Sequence, residues 1–137
     1  TSAMQAGNIT QGSIYELMPF DNLLVLITLD GKQLQQLLTH IAGRGGWPIS
    51  GGSYTIKNKE AIEVTIAGEK IIAENKYTIA LSDYVANGGD DCSFLITIPQ
   101  VNNGYLLRDA IIAYVKSVTA SGKTIGRPLA NRVTIAQ

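Results

Sequence analysis

The segment from Ser82 to Asp91 has the composition of a ligand-binding loop. Its two adjacent glycines permit positive φ angles and let the backbone approach a bound molecule closely. The two carboxylates that follow are acceptors only, which suits the neighbouring hydroxyl groups of a sugar. An Asn-Gly pair is also the strongest short signal for a tight turn, so a plain hairpin turn is the alternative. The residues concerned are Asn87, Gly88, Gly89, Asp90 and Asp91.

Two aromatic residues stand next to turn-forming residues. Tyr84 lies inside the loop just described, and Phe20 follows Pro19 directly before an apolar run. Because proline fixes its own backbone angle, we expect Phe20 on a short, defined loop. Two such rings can sandwich a planar base, and stacking contributes about 1–3 kcal/mol per base in nucleic-acid complexes. The alternative is that Phe20 covers the edge of a sheet as a packing residue.

The residue types needed for hydrolysis are scarce. A hydrolytic metal centre needs several His, Asp, Glu or Cys ligands that converge on one point, yet the chain has one histidine, His40, and one cysteine, Cys92. His40 stands near the end of a helical pattern, where the helix dipole favours a partly exposed imidazole. Neither a G-x-S-x-G nucleophile elbow nor a G-x-G-x-x-G loop in the required context occurs. We therefore assign no catalytic residue and no metal ligand.

Composition narrows the class of protein further. The chain has 137 residues, 45% of them hydrophobic and 16% charged, which is typical of one packed globular domain. Its 11 basic and 11 acidic residues balance without a basic stripe, so nucleic acid is excluded as a partner. No run approaches the ~20 apolar residues of a membrane span, and we expect no membrane contact by this domain. A single cysteine excludes an internal disulfide.

The elements of the first half follow from hydrophobic periodicity. Ser13 to Met18 is predicted as one helical turn that Pro19 ends, and Asn22 to Leu29 as a buried strand. A turn is predicted at Asp30-Gly31, before an amphipathic helix from Lys32 to Ala42. Its apolar stripe consists of Leu34, Leu37, Leu38 and Ile41.

The second half predicts strands, a hairpin and one more helix. Alternating patterns at 53–57 and 61–66 predict a hairpin that turns at Asn58-Lys59, and 71–72, 77–81 and 132–136 predict further strands. The closing segment begins at Arg127-Pro128. Leu106 to Val118 predicts a second helix whose apolar face is Leu107, Ala110, Ile111, Tyr114, Val115 and Val118. Strands that alternate irregularly with two main helices predict a single α+β domain with a mixed sheet.

The run from Asn8 to Asp91 resembles the C-terminal domain of the 5′-nucleotidase family, which includes ecto-5′-nucleotidases and bacterial UDP-sugar hydrolases. Two widely separated motifs, P-F-x-N and A-N-G-G-D, stand in the family's order and spacing. The matching pieces are Gly7-Asn8-Ile9-Thr10, Met18-Pro19-Phe20-Asp21-Asn22, Thr28-Leu29-Asp30-Gly31, Ile49-Ser50-Gly51-Gly52, Lys76-Tyr77-Thr78-Ile79-Ala80 and Asp83 to Asp90.

The resemblance implies a substrate site. In that family two motif aromatics stack on either face of the nucleobase, and the aspartate of the Gly-Gly-Asp loop accepts hydrogen bonds from the ribose hydroxyls. Phe20 and Tyr84 would then be the base clamp and Asp90 the ribose acceptor, with Asn87, Gly88 and Gly89 completing the substrate-binding loop. Tyr84 stands where a phenylalanine is usual, and Asp91 stands where glycine is common.

The resemblance also implies parts that lie outside this sequence. Residues 1–137 would be the C-terminal domain, truncated at its N-terminal side, because the family's Asn-x-Gly-Gly-x-Arg segment would precede Thr1. A metallophosphoesterase domain with two divalent metal ions, on the same or a separate chain, would hydrolyse a nucleotide to nucleoside and phosphate, and this fragment alone would be inactive. Family members are usually periplasmic, surface-attached or secreted. The alternatives are the same domain of a 2′,3′-cyclic-nucleotide phosphodiesterase or UDP-sugar hydrolase, and a non-enzymatic interaction module that keeps the fold.

Overall fold

The computed structural model describes residues 3–126 and 131–137. The predicted start of the closing segment at Arg127-Pro128 lies outside these residues. The helices are α1 (Gln11–Leu17), α2 (Gly31–Gly43), α3 (Asp83–Ala86) and α4 (Leu107–Ala120). The strands are β1 (Leu23–Asp30), β2 (Gly52–Lys57), β3 (Glu60–Ile66), β4 (Glu69–Lys70), β5 (Lys76–Ser82), β6 (Gln100–Leu106) and β7 (Val133–Ile135). Single 3-10 turns follow α3 at Gly89–Asp91 and Ser93–Leu95.

The described strands form two sheets. One has the strand order β5-β1-β6, and the other has the order β4-β3-β2-β7. In the second sheet β2 pairs antiparallel with β3 and parallel with β7, so this sheet is mixed. The predicted α+β class, with mixed pairing and two long helices, is confirmed. The sequence predicted one mixed sheet, whereas the described strands form two sheets.

The chain falls into two compact units. The first comprises residues 3–26, 80–96 and 100–126, and the second comprises 27–79, 97–99 and 131–137, as far as these ranges are described. Both units contain fully buried apolar residues. In the first unit these include Ile14, Val25, Ala86, Cys92 and Leu95, and in the second Ile27, Leu29, Leu34, Tyr54 and Val64.

In the second unit β1 leads into α2 without an intervening turn. Asp30 is both the last strand residue and the N-cap of α2, and its carboxylate accepts a hydrogen bond from the Gln33 amide at 2.7 Å. The Gln33 side chain accepts in return from the Asp30 amide at 2.9 Å, which completes a capping box. The predicted turn at Asp30-Gly31 is therefore wrong, because Asp30 caps the helix instead. The predicted apolar stripe of α2 is fully buried, as expected.

The predicted hairpin is confirmed at its turn. Asn58 and Lys59 both have positive φ, of 52° and 64°, as a two-residue turn between twisted strands requires. The strands pair from Gly52 opposite Ile66 to Lys57 opposite Glu60. The register shifts between Ser53 and Thr55, where Tyr54 is buried. The Tyr54 hydroxyl donates to the Trp47 carbonyl at 2.9 Å and accepts from the Trp47 amide at 3.0 Å.

The short strand predicted at Ile71-Ile72 is wrong by two residues. Ala67 and Gly68 reverse the chain with positive φ angles, so pairing with β3 resumes at once, with Ile66 opposite Glu69. The strand β4 has ended when the chain reaches Ile72, whose carbonyl accepts from the Asn75 amide at 3.2 Å.

In the first unit one strand was missed, and one residue of a predicted apolar helix face is exposed. β6 contains Asn102, Asn103 and Gly104, a run typical of turns, and its extended form depends on its place in the β5-β1-β6 sheet. α4 was predicted correctly, but Tyr114 is 64% exposed although its spacing placed it on the apolar face. The buried residue of α4 is the charged Arg108.

We predict that Gly31→Ala destabilises the chain whereas Gly12→Ala does not. A Cβ at Gly31 would lie 2.0 Å from the Ile72 carbonyl oxygen, so the backbone must move, at a cost of about 1–3 kcal/mol or more. Both glycines stand in the first turn of a helix, but a Cβ at Gly12 would meet Thr10 Oγ1 at an ordinary 3.6 Å. Alanine there should stabilise by about 0.5–1 kcal/mol. Urea denaturation of both variants tests this, and equal midpoints would contradict it.

Candidate functional site

Phe20 lies on the short loop between α1 and β1. Thr10 and Ser13 form a capping box at the start of α1, and the helix ends at Leu17, before Pro19, as predicted. Phe20 is 65% exposed, so it does not cover a sheet edge as a packing residue. The alternative role considered for this ring is therefore wrong.

The first two residues of α4 hold the Phe20 loop. The Arg108 guanidinium donates from Nη1 to the Met18 carbonyl at 3.2 Å and from Nη2 to Asp21 Oδ1 at 2.8 Å. The Leu107 amide donates to the Asn22 carbonyl at 2.8 Å. These three bonds attach both ends of the loop to one helix terminus.

Arg108 is buried and charged. Its guanidinium carbon lies 4.2 Å from the centroid of the Tyr15 ring on α1, a distance typical of a cation–π contact. The hydrogen bond with Asp21 raises the pKa of Arg108, against the opposing effect of desolvation. The side chain of Asp21 is 79% exposed, so the pair joins a buried cation to a solvated carboxylate.

Asp83 joins the Phe20 loop to the segment that carries Tyr84. Its Oδ1 atom accepts from the Leu23 amide at 2.9 Å and from the Tyr84 amide at 2.9 Å. Leu23 is the first residue of β1, three positions after Phe20. One carboxylate oxygen therefore connects two segments that are 60 residues apart in sequence.

The segment 82–91 is helical rather than a hairpin turn. Ser82 caps α3 through a hydrogen bond to its Oγ from the Val85 amide at 3.3 Å, and Tyr84 lies in this single helical turn. The chain then reverses at Gly88, with φ of +99°, and forms the 3-10 turn Gly89–Asp91. Tyr84 is 53% exposed.

Each of the two glycines meets a neighbouring side chain that leaves no room for a Cβ. A Cβ at Gly89 would lie 2.5 Å from a ring carbon of Tyr84, and a Cβ at Gly88 would lie 2.9 Å from the end of Ile96. The backbone of the loop thus lies directly against the Tyr84 ring. The predicted approach of this glycine pair to a bound molecule stays a prediction.

The acidic end of the loop is held in an unusual conformation. Asp90 and Asp91 both have left-handed backbone angles, with φ of 52° and 62°. Such angles cost roughly 1–2 kcal/mol for most residues and nothing for glycine, which explains why a glycine is readily accommodated at the position of Asp91. Asp90 is half-buried and Asp91 exposed.

Asn87 is tied to the strand that follows. Its Oδ1 accepts from Gln100 Nε2 at 2.8 Å, at the start of β6. Because this oxygen already accepts a hydrogen bond, the side-chain Nδ2 is the atom of Asn87 that we expect to contact a bound molecule.

Two surface cavities of about 310 and 330 Å³ lie elsewhere in the first unit. One is lined by the segment 3–8 and α1, and the other by α1 and α4. Neither is lined by Phe20, Tyr84 or the Gly-Gly-Asp loop. The candidate site is therefore identified by exposed rings and a structured loop, not by cavity size.

Residues 3–126 and 131–137 contain no cluster of three or more His, Cys, Asp or Glu side chains able to hold a metal ion. Within the same ranges, no helix is long and apolar enough to cross a membrane.

Sequence reasoning identified the exposed aromatics but missed the residues that hold them. Arg108, Asp83 and Gln100 are polar residues whose partners lie 13 to 90 positions away. Of these, only Asp83 lay in a segment that the motifs singled out, the run Asp83 to Asp90, whereas Arg108 is followed by Asp109 in an ordinary charged helix start.

The fold and the sequence motifs are those of the C-terminal α+β domain of 5′-nucleotidases. A sequence profile described as "5′-nucleotidase, C-terminal domain" matches residues 1–97, and the chain belongs to this family. The structure is similar to that of a 5′-nucleotidase precursor from Thermus thermophilus, with a TM-score of 0.76 and 25% identity. That match covers 93% of this chain and 28% of the other.

Curated relatives agree with this assignment. The UshA protein of Escherichia coli is 25% identical over 132 residues, which cover 92% of this chain and 24% of that protein. The trifunctional nucleotide phosphoesterase YfkN of Bacillus subtilis is 32% identical over 108 residues, covering 67% of this chain and 7% of that protein. The chain spans about a quarter or less of the length of these two relatives.

We predict that Asp83→Ala lowers the free energy of unfolding by about 1–3 kcal/mol, because it leaves the half-buried Leu23 amide without its acceptor. Asp83→Asn keeps an Oδ1 acceptor of the same shape and should lose much less. Urea denaturation of the two variants measures the difference. If the alanine variant is as stable as the asparagine variant, the shared oxygen does not hold the two segments together.

Proposed function

We propose that this chain is the substrate-binding domain of a 5′-nucleotidase-type phosphohydrolase and that it binds the nucleobase and ribose of a nucleotide. Hydrolysis to nucleoside and phosphate would take place on a metallophosphoesterase domain outside this sequence. The observation that carries the proposal is the pair of exposed rings, Phe20 and Tyr84, on segments that Asp83 joins.

Exposure of both rings supports base binding. An apolar ring that is more than half exposed contributes little to the core, and Phe20 and Tyr84 are 65% and 53% exposed. A base that stacks on such a ring covers it and releases the water at its face, which favours binding. The Tyr84 hydroxyl is compatible with stacking as long as it reaches solvent or a polar partner.

The Gly-Gly-Asp loop supports ribose binding. A ribose offers two neighbouring hydroxyl donors, and the Asp90 carboxylate offers acceptors on a backbone turned by the left-handed angle of Asp90 itself. Gly88 and Gly89 carry no side chains of their own, and the side chains of Ile96 and Tyr84 lie against them. The Asn87 amide nitrogen is the donor that the loop can add.

The proposal assigns the hydrolytic chemistry to another domain. The described part of this chain has no ligand set for the two divalent ions that a metallophosphoesterase uses, so those ions do not fit here. Binding energy from a base and a sugar, remote from the reacting phosphate, can instead position the phosphate in the active site of another domain. The partners implied are a nucleotide and that domain.

The same family membership leads us to propose a periplasmic, cell-surface or secreted location. Fractionation of the native cells tests this, and recovery of the protein in the cytoplasmic fraction alone would contradict it.

We predict weak, saturable adenosine binding by this chain that depends on both rings. In a chemical-shift titration, shifts should be confined to residues around Phe20 and Tyr84–Asp90, with millimolar affinity. Phe20→Ala and Tyr84→Ala should each weaken binding at least about fivefold, since stacking on one ring contributes about 1–3 kcal/mol. Asp90→Ala should weaken binding of adenosine but not of 2′,3′-dideoxyadenosine, which lacks the ribose hydroxyls.

Tyr114→Ala is the matched control for that titration. Tyr114 is 64% exposed and lies on α4 of the same unit, so its removal deletes an equally exposed ring away from the proposed site. Equal effects of all three aromatic substitutions would indicate nonspecific stacking. Unchanged affinity in Phe20→Ala and Tyr84→Ala would favour an interaction module that has kept the fold. A preference for UDP-sugars or 2′,3′-cyclic nucleotides would identify the corresponding relative.

We also predict that this chain alone releases no phosphate from AMP, because no described residues form a hydrolytic centre. A phosphate-release assay with added Mg²⁺, Mn²⁺ or Zn²⁺ measures this, with buffer and a chelator-treated sample as controls. Release above the buffer blank that persists after repurification and chelation would show that the chain contains its own catalytic residues.

A further inference from the structure

The Phe20 ring has little packing of its own to fix its orientation. It is 65% exposed, and within its loop only Pro19 has a backbone angle set by covalent structure. An exposed ring on a free loop would lose conformational entropy on binding a base, which weakens affinity. The loop therefore needs support from outside if the ring is to be presented in one orientation.

Arg108 provides that support from two sides. Its Nη1 and Nη2 atoms donate to the Met18 carbonyl at 3.2 Å and to Asp21 Oδ1 at 2.8 Å, and these two acceptors flank the Pro19-Phe20 pair. The guanidinium group is planar, so the spacing and direction of its two donors are constant. A lysine has one ammonium centre on a flexible stem and cannot reproduce this geometry.

Arg108 is itself held in place. The residue is 8% exposed, it stacks on Tyr15, and the neighbouring Leu107 amide bonds the Asn22 carbonyl at 2.8 Å. Because Arg108 is held in one orientation, its two hydrogen bonds restrict the motion of Met18 and Asp21. We propose that Arg108 is a positioning residue that holds the loop from Met18 to Asp21 so that the Phe20 ring stays presented to a nucleobase. The inference rests on the proposed base-binding role of Phe20.

A purely structural role is the competing explanation. On that view Arg108 joins α1 to α4 through Tyr15 and affects only the free energy of unfolding. If Arg108 positions the loop, its loss makes the backbone at Phe20 flexible while the chain stays folded. If its role is purely structural, the backbone at Phe20 stays ordered in the folded chain.

Four substitutions separate the roles. Arg108→Lys keeps the charge but not the planar fork, and Asp21→Ala removes one of the two bonds at a largely solvated side chain. Tyr15→Leu removes the stacking contact and leaves both hydrogen bonds. Arg132→Gln is the matched control, because Arg132 Nη1 also donates to a backbone carbonyl, that of Ile49 at 3.3 Å, in the second unit.

Backbone ¹⁵N order parameters at Phe20 and Asp21 are measured first, without ligand. We expect values near those of rigid backbone, about 0.85, in the unchanged chain, in Tyr15→Leu and in Arg132→Gln. In Arg108→Lys they should fall below about 0.6, the range of flexible backbone, with a smaller fall in Asp21→Ala. If the presented orientation falls to about one-tenth of the population, the apparent Kd for adenosine rises about tenfold.

Unchanged order at Phe20 in both Arg108→Lys and Asp21→Ala overturns the inference, whatever happens to stability. Equal loss of order in Tyr15→Leu also overturns it, because general loosening of α1 and α4 would then be the cause. If Arg108→Lys does not fold, Asp21→Ala decides alone. Failure of the unchanged chain to bind adenosine contradicts the proposed function, and the order parameters still decide whether Arg108 holds the loop.

Discussion

The candidate site depends on one oxygen atom of Asp83. Two backbone amides, from the start of β1 and from α3, donate to it at 2.9 Å, and each lies close in sequence to one of the exposed rings. A carboxylate can accept several hydrogen bonds at once, which is why a single side chain can join two segments. Without it, the half-buried Leu23 amide would lose its partner, and the Phe20 loop would lose this connection to the segment of Tyr84.

The two rings are exposed, whereas Arg108, which bonds the residues on either side of Pro19-Phe20, is buried. Arg108 bonds both sides of the Phe20 loop from a buried position, and the backbone of Gly89 lies against the Tyr84 ring. This combination is what a stacking site needs, because apolar surface must be open before binding while its orientation is fixed in advance. The buried guanidinium of Arg108 thus bonds the loop that carries Phe20, one of the two motif aromatics.

The proposed role of this chain is recognition of a nucleotide, with hydrolysis on another domain. Rings and carboxylates complement the base and sugar of a nucleoside, and the described residues of this chain include no cluster of metal ligands. Membership in the family of 5′-nucleotidase C-terminal domains is compatible with the proposed division of labour, in which binding energy gained far from the phosphate would be used to position it. Asp90 and Asp91 both have left-handed backbone angles, which aspartate adopts more readily than most residues.

Local pattern was sufficient for much of this protein. Periodicity identified both long helices, the hairpin at Asn58-Lys59 and the strand β1, and motif spacing identified Phe20 and the Gly-Gly-Asp loop. These features depend on neighbours within a few residues, which the sequence shows directly. Other features depend on tertiary structure alone. Asn102 to Gly104 belong to β6 because they pair in the sheet, and Tyr114 is exposed to solvent. Arg108 and Asp83 form hydrogen bonds with residues up to 90 positions away in the sequence. Such bonds form because the fold brings distant groups within about 3 Å, and no local pattern encodes that distance.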